Sequence, residues 1–548
     1  MRRVSFVVII TWFVFHPIVA QTEYIPFVSI SPDSIKKHLF VLGNDSLQGR
    51  GTGYAGCEKT ALYICNVLRG YGIRPFSPST GFMQTFPLHG SKPMEETRFT
   101  LYAPKDSYAL RLKDDYVLYS AGAQTFTPAP IPVVFVGYGI VAPEYDYNDY
   151  RNIDVKNCIV VFLSGEPNSG DDIYFDGEKP TIHASLNLKQ KIALAHGAKG
   201  SILLPNPNDR SMDDWFEQQR QFLFEDVHLL VAPSENLNVM INPKLGPFVF
   251  SDAEYSFDEI AEFDRKGTMK SFRLPFMASF QGQFQERDFL SSNIIGIIEG
   301  TDPQLQDSYL LLSAHYDHLG IGTPIDGDSI YNGVIDNASG VVALLELTRI
   351  FSRSEFRPRR SILVVFLTGE ERGFLGSQYY CLHPVVPLYK TAANVNIDGL
   401  SLFDRMHSVV GVGAELSTLG RSLDDAVHSM GLEIDSLFSN LSQHNQFRNS
   451  DQFMFAQAGI PSILVAEGLR YESTSFEEGI KRYVAWSEER YHSPFDDLHQ
   501  PINFAAAVQH VEILFRFSAA IANDPHDPQW NLRSPFINAR LISKAEKK

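Results

Sequence analysis

The second half of the chain predicts an α/β fold: a mixed, largely parallel sheet flanked by helices. Three observations lead there. NIIGIIEG, SYLLLSAHYDHLG, SILVVFLTGEE, AANVNIDG and IPSILVAEG are apolar runs of strand length. Helical patterns separate most of them; in GVVALLELTRIF, residues Val341, Leu344, Leu345 and Thr348 share one face. Strands alternating with helices pair in parallel. Charged residues also collect where these runs end, which is where open α/β sheets gather reactive groups.

At 548 residues the chain exceeds one ordinary core, so two or more domains are expected. A hydrophobic content of 44% with 20% charged residues is that of a folded protein rather than a disordered one. The net charge of −17 argues against nucleic-acid binding and offers no basic stripe to anionic membranes. Residues 1–20, MRRVSFVVIITWFVFHPIVA, have a basic start, an apolar run from Val4 to Phe15 and a small residue at Ala20. That is the layout of a secretory signal cut after Ala20. The run is shorter than the ~20 apolar residues of a membrane span. No later stretch reads as long and apolar enough to cross a bilayer, so the expected product is exported, periplasmic or secreted, without stable membrane insertion.

Residues 34–75 read as a helix, the Gly-rich loop GRGTGYAG and a second helix ending at Gly70 or Gly72. Cys57 and Cys65 fall eight residues apart on that second helix, ~12 Å along its axis, too far for a disulfide. With Cys158 and Cys381 they show no zinc-finger spacing and read as small buried hydrophobes. Residues 76–130 are polar and Pro-bearing. From 131 a β-rich block begins with IPVVFVGYGIVA and NCIVVFLSG, continues through the helical LNLKQKIALAHGAKG and reaches the strand SILLPN. Residues 207–270 read as irregular, aromatic and acidic, and their titratable groups form no motif.

The chemistry lies in five short segments. HYD carries His315 and Asp317 on one side of a strand, where the carboxylate can take the spare ring N–H of the histidine. NGVIDNASG carries Asp336, FLTGEERGFLGS carries Glu370 and Glu371, NIDG carries Asp398, and YHSPFDD carries His492 with Asp496 four residues on. Singly, these are a satisfied core histidine, a turn aspartate and surface residues. Together they differ: Asp336, Glu370, Glu371 and Asp398 in one cleft could not all stay ionised without neutralisation. Two divalent cations would cancel four negative charges, and two histidines complete a mixed N/O ligand set suited to zinc. One glutamate of the pair can then hold metal while its neighbour serves as base for the attacking water.

HYDHLG, NGVIDNASG, TGEERGFLGS, NIDG and YHSPFDD resemble, in order, the five motifs of the co-catalytic di-zinc peptidases, over roughly residues 290–510. That superfamily includes the bacterial leucyl aminopeptidases and glutamate carboxypeptidase. The resemblance implies two zinc ions per chain. His315 and Asp398 would hold one, Glu371 and His492 the other, and Asp336 would bridge them. Glu370 would be the general base and Asp317 the partner of His315, with a cis peptide after Asp336.

GYGIVAPEY, KNCIVVFLSGEP and KIALAHGAKGSILL resemble the protease-associated domain that many of these enzymes carry as an insertion, while GRGTGYAGCEKTALYICNVLRGYGI is similar to the start of the peptidase domain. The implied division is a signal peptide at 1–20, the first part of the peptidase at 21–95, a β-rich inserted domain at 96–275, the catalytic domain at 276–530 and a tail at 531–548. His183 and His196 in the insert read as structural. Many relatives carry histidine where this chain has Gln452, which bears on specificity and not on the ligands. The implied activity is exopeptidase hydrolysis of peptide substrates by a metal-bridging water and a glutamate base, with an aminopeptidase preferred. A carboxypeptidase or dipeptidase is the alternative, with Arg372 and Arg448 as candidate carboxylate partners, and a non-catalytic receptor-like protein is the remote one. The sequence does not set the oligomeric state.

Overall fold

The structure is a computed structural model, and it describes residues 29–547 apart from 122–125, 168–173, 176, 178–180, 210–214, 223, 231–236, 354–357 and 436–446. The expected signal peptide lies outside the described residues.

Two sheets organise the chain. The larger has ten strands, and its middle four are parallel: Ser361–Leu367, Tyr309–His315, Thr391–Asn396 and Ser462–Glu467, in that spatial order. Ser361–Leu367 is buried at every position, as a central parallel strand must be. Its alternation sends Ile362, Val364 and Phe366 into one core and Leu363, Val365 and Leu367 into the other. Each such side chain stabilises the fold by about 1.5–3 kcal/mol. The helices Pro32–Leu42, Ala55–Gly70, Gly340–Arg353 and Phe504–Asn523 cover the first face. Tyr380 and Phe455, from Leu375–Leu382 and Gln452–Gln457, cover the second.

Outside this centre the large sheet is mainly antiparallel, apart from the short parallel pair of Ser408–Val412 with Glu433–Ile434 at one edge. Phe284–Ile298, expected among the parallel strands, lies antiparallel to Ser361–Leu367. The connection from Phe284–Ile298 to Tyr309–His315 contains no helix, and parallel order needs a long crossover.

The polar stretch 76–130 holds more strand than its composition suggests. Met83–Pro93 pairs along its whole length with Phe284–Ile294 in the large sheet. Arg98–Tyr102, Ser107–Leu110, Tyr116–Ala121 and Phe126–Val136 belong to a second, eight-stranded sheet with its own core. Ser271–Gln281 lies inside this sheet, between Arg98–Tyr102 and Phe126–Val136, and runs across the expected boundary at 275. The irregular stretch 207–270 also sends one strand, Asp226–Leu229, back to pair with Met83–Pro93 at the edge of the large sheet. The two sheets are thereby stitched together beside the strand ends that carry the motifs.

Phe504–Asn523 corrects one expectation, since it is long and apolar enough to cross a membrane. Here it is a core helix, with Val511, Leu514 and Phe517 fully buried against the large sheet's helical layer. Its apolarity meets protein rather than lipid. The four cysteines are unpaired.

Candidate metal centre

Register brings the motifs together. His315 is level with Leu367 on one neighbouring strand, and Ser313 is level with Asn396 on the other. Glu370 and Glu371 therefore emerge just past one side of His315, and Asp398 draws level with it on the other. Asp336 arrives from the loop that opens Gly340–Arg353, and His492 from the turn before Phe504–Asn523.

Asp336 stands between the two histidines. Its Oδ1 lies 3.3 Å from His315 Nε2, and its Oδ2 lies 3.2 Å from His492 Nε2. Asp398 Oδ1 is 3.2 Å from the same His315 nitrogen, and Glu371 Oε2 is 3.3 Å from His492 Nε2. Two groups, His315–Asp336–Glu371 and His315–Glu370–Asp398, each bring their ligand atoms within 4.8 Å of one another. The donor set fits two divalent cations sharing Asp336: imidazole nitrogens and carboxylates, with no thiolate.

The surroundings hold these groups in place by backbone contacts. The Asp496 carboxylate accepts the N–H groups of Ile335 (2.9 Å) and Asp336 (3.0 Å). The guanidinium of Arg50, fully buried, donates to the carbonyls of Leu42, Asn332, Gly333 and Tyr316 at 2.5–2.9 Å. The Asn337 amide joins this loop to the Asp398 segment, donating to Ile397 O (2.9 Å) and accepting from Gly399 N (2.9 Å). Gly333 sits at φ 59°, where a Cβ would come 2.1 Å from Asp336 O and 2.5 Å from the His318 ring, so only glycine closes this turn. The Asp336–Asn337 peptide is cis.

Asp317 occupies a different place from the one its spacing suggested. The strand ends at His315, so alternation no longer governs Asp317. His315 Nδ1 donates to the Asp317 carbonyl at 3.2 Å, while the carboxylate is 3.8 Å away. This fixes the tautomer that leaves Nε2 facing Asp336 and Asp398. The Asp317 carboxylate instead accepts Thr52 Oγ1 (2.8 Å) and Glu370 N (3.3 Å), tying the N-terminal segment to the general-base candidate.

Electrostatics divide the carboxylates. Burial pushes Glu370 well above the carboxylate range, with Glu371 and Asp398 adding to the effect and His315 opposing it. Burial acts on Asp336 the same way, but hydrogen bonds from His315 and His492 hold it well below that range. Glu371 is also lowered, burial being outweighed by His492 and His318. Burial disfavours a charged His315, yet Glu370 and Asp398 raise its proton affinity well above the usual imidazole value. Protons on imidazole thus supply the positive charge that the carboxylates demand.

Three contributors were not read from the sequence. Arg50 lies in the GRGTG loop and its hydrogen bonds go to backbone carbonyls. Tyr491 stacks on His492 with ring centroids 3.9 Å apart. Burial and the charges of Asp336, Glu371, Glu370 and Asp398 keep its hydroxyl protonated. His318, within the quoted HYDHLG motif, is fully buried with Nδ1 2.6 Å from Glu371 Oε1. Gln452 is fully buried, accepting from Asn396 and donating to Phe447 O, each at 2.9 Å, so it supports the Asn396 strand end rather than lining the cleft. Near the smaller sheet, His183 bonds Glu144 at 2.7 Å and His196 stacks on Tyr150, as structural residues do.

The sequence profile of peptidase family M28 matches residues 293–518, which contain all five motifs. A vacuolar membrane protease of Aspergillus clavatus is 29% identical over 231 residues, 40% of this chain and 21% of that protein. A probable zinc metalloprotease of Pyrenophora tritici-repentis is 34% identical over 107 residues, 20% of this chain and 24% of its own length. The chain thus spans about a quarter or less of these curated relatives. An aminopeptidase from Aneurinibacillus sp. strain AM-1 shares the fold at a TM-score of 0.54 and 17% identity, over 89% of this chain and 93% of that one. Residues 293–518 thus match peptidase family M28, a family of the co-catalytic zinc peptidase superfamily.

Proposed function

We propose that this chain is an exported exopeptidase that holds two zinc ions and removes residues from the amino end of peptides. The observation that carries the reading is Asp336, whose two oxygens face two different histidines at 3.3 and 3.2 Å. His315 and Asp398 would hold one ion, Glu371 and His492 the other, with Asp336 shared. When bound, zinc would polarise the scissile carbonyl and lower the pKa of the attacking water.

The chain's own groups do the rest. Glu370 is buried within the His315–Glu370–Asp398 group and, among the described residues, pairs with no Lys or Arg, so it can take the proton of the attacking water and pass it to the leaving amine. Asp317 positions Glu370 through its backbone N–H. Tyr491 can donate its hydroxyl hydrogen to the oxygen that becomes negative in the tetrahedral state. An acidic cleft favours a substrate with a free ammonium.

Residues 96–275 are read as a protease-associated insert, supported by the separate eight-stranded sheet. Export rests on the layout of residues 1–20.

A carboxypeptidase is the second reading, and one observation favours it. Arg372, next to Glu371, lines a cavity of about 120 Å³ with Lys92, and among the described residues no carboxylate pairs with either. The deciding experiment incubates the chain with one peptide in three forms (free ends, N-acetylated, C-amidated) and follows products by mass spectrometry with and without a chelator. Stepwise amino-end loss, blocked by acetylation and by the chelator, is expected. Loss blocked by amidation instead would establish the second reading, and chelator-resistant cleavage would remove the metal from both.

A further inference from the structure

His318 has no assigned part in the site, yet it is fully buried against a proposed metal ligand. Its backbone is pinned by His318 N donating to Arg50 O at 3.3 Å. Its ring packs so closely on Gly333 that a Cβ there would come 2.5 Å from the ring carbons. Nδ1 lies 2.6 Å from Glu371 Oε1. An ionised carboxylate only accepts, so the ring hydrogen is on Nδ1; the other tautomer would set two lone pairs against each other at that distance. Nε2 is buried and has no hydrogen-bond partner among the described residues. Such a nitrogen is tolerable as a neutral acceptor and far less so as an unpaired donor.

Glu371 therefore has its oxygens divided. Oε1 is taken by His318, and Oε2 lies 3.3 Å from His492 Nε2, on the metal side. The geometry points to His318 as the positioning residue that holds Glu371 to a single metal-facing oxygen, by a hydrogen bond from Nδ1 to Oε1. A carboxylate free at both oxygens could turn about its Cγ–Cδ bond toward either metal or toward Glu370; this one is held against that rotation. The inference rests on the two-zinc reading above and extends it to a residue outside the ligand set.

The test is equilibrium zinc titration of metal-free protein against a chromophoric chelator, for the wild type and for His318→Ala, His318→Asn and His318→Phe. Outer partners of metal ligands are worth about 10–100-fold in affinity. His318→Ala should weaken one of two sites by that factor and leave the other unchanged. Asn places a side-chain N–H near the position of Nδ1 and should restore the weakened site. Phe fills the space without a donor and should not. If His318→Ala fails to fold, the Asn and Phe pair still decides. His318→Ala binding like the wild type, or Asn as weak as Phe, would overturn the role. A wild type that binds no zinc would instead overturn the underlying metal reading.

Discussion

Asp336 and Asp149 are buried alike, each 8% exposed, yet their carboxylates meet opposite surroundings. Asp149, in the smaller sheet's domain, accepts N–H groups from Tyr138 (3.1 Å) and Ile140 (2.9 Å) and the hydroxyl of Tyr147 (2.8 Å). Burial still pushes it up to about 7. Nearby Lys189, fully buried, donates to the carbonyls of Leu163 and Gly165. Asp149 and Lys189 each have partners of fixed geometry, most of them in the backbone. Asp336 has its backbone satisfied by Asp496, but its carboxylate oxygens face two imidazoles shared with Glu371 and Asp398. Burial is common to both; what separates the structural network from the proposed metal site is whether the carboxylates have donors of their own.

The comparison is broken most forcefully at Asp336. Asp336→Ala should reduce zinc affinity by more than about a hundredfold, because even outer partners of ligands are worth 10–100-fold. Zinc content after gel filtration checks this, and an unchanged content would return Asp336 to the structural class. Glu370→Gln should keep its zinc and lose about a hundredfold or more in turnover, measured on a free-ended peptide. Full turnover with full zinc would strip Glu370 of its role.

pH sharpens the contrast. In the metal-free protein His315 holds its proton more tightly than ordinary imidazole, so zinc binding must release that proton. The zinc-bound form carries fewer protons, hence lowering the pH favours the metal-free form. Affinity should fall about tenfold per pH unit for each proton displaced, as the pH drops below the raised His315 value. Titrations at several pH values read this slope, and a flat profile would contradict it. The smallest effect belongs to the region of the smaller sheet. Lys189→Met removes the donor to the Leu163 and Gly165 carbonyls and should cost about 1–3 kcal/mol of stability, seen as a lower Tm, with zinc content unchanged.

The strand-end motifs were legible because each interrupts an apolar run with groups that burial would otherwise exclude. Alternation of strand and helix put His315, Glu370, Glu371 and Asp398 at strand ends, and their juxtaposition followed only if those ends are neighbours. The roles of Arg50 and Asp496 could not be read this way, since their contacts at the site are with backbone groups more than 150 residues distant in sequence, Asp496 with Asp336 and Arg50 with Gly333. Met83–Pro93 and Asp226–Leu229 were missed for a related reason: their residues are half polar, and their partners are set by pairing rather than by local pattern. The twenty-residue helix Phe504–Asn523 shows the converse, an apolar segment whose buried setting only the fold reveals.

The central claim is a centre of two zinc ions organised by Asp336. The most direct measurement is the zinc stoichiometry of the full chain, purified in zinc-replete buffer and read by elemental analysis, beside Asp336→Ala. Two ions per chain in the wild type, lost in the variant, is the predicted result. One ion or none in the wild type, or two retained by the variant, would contradict it.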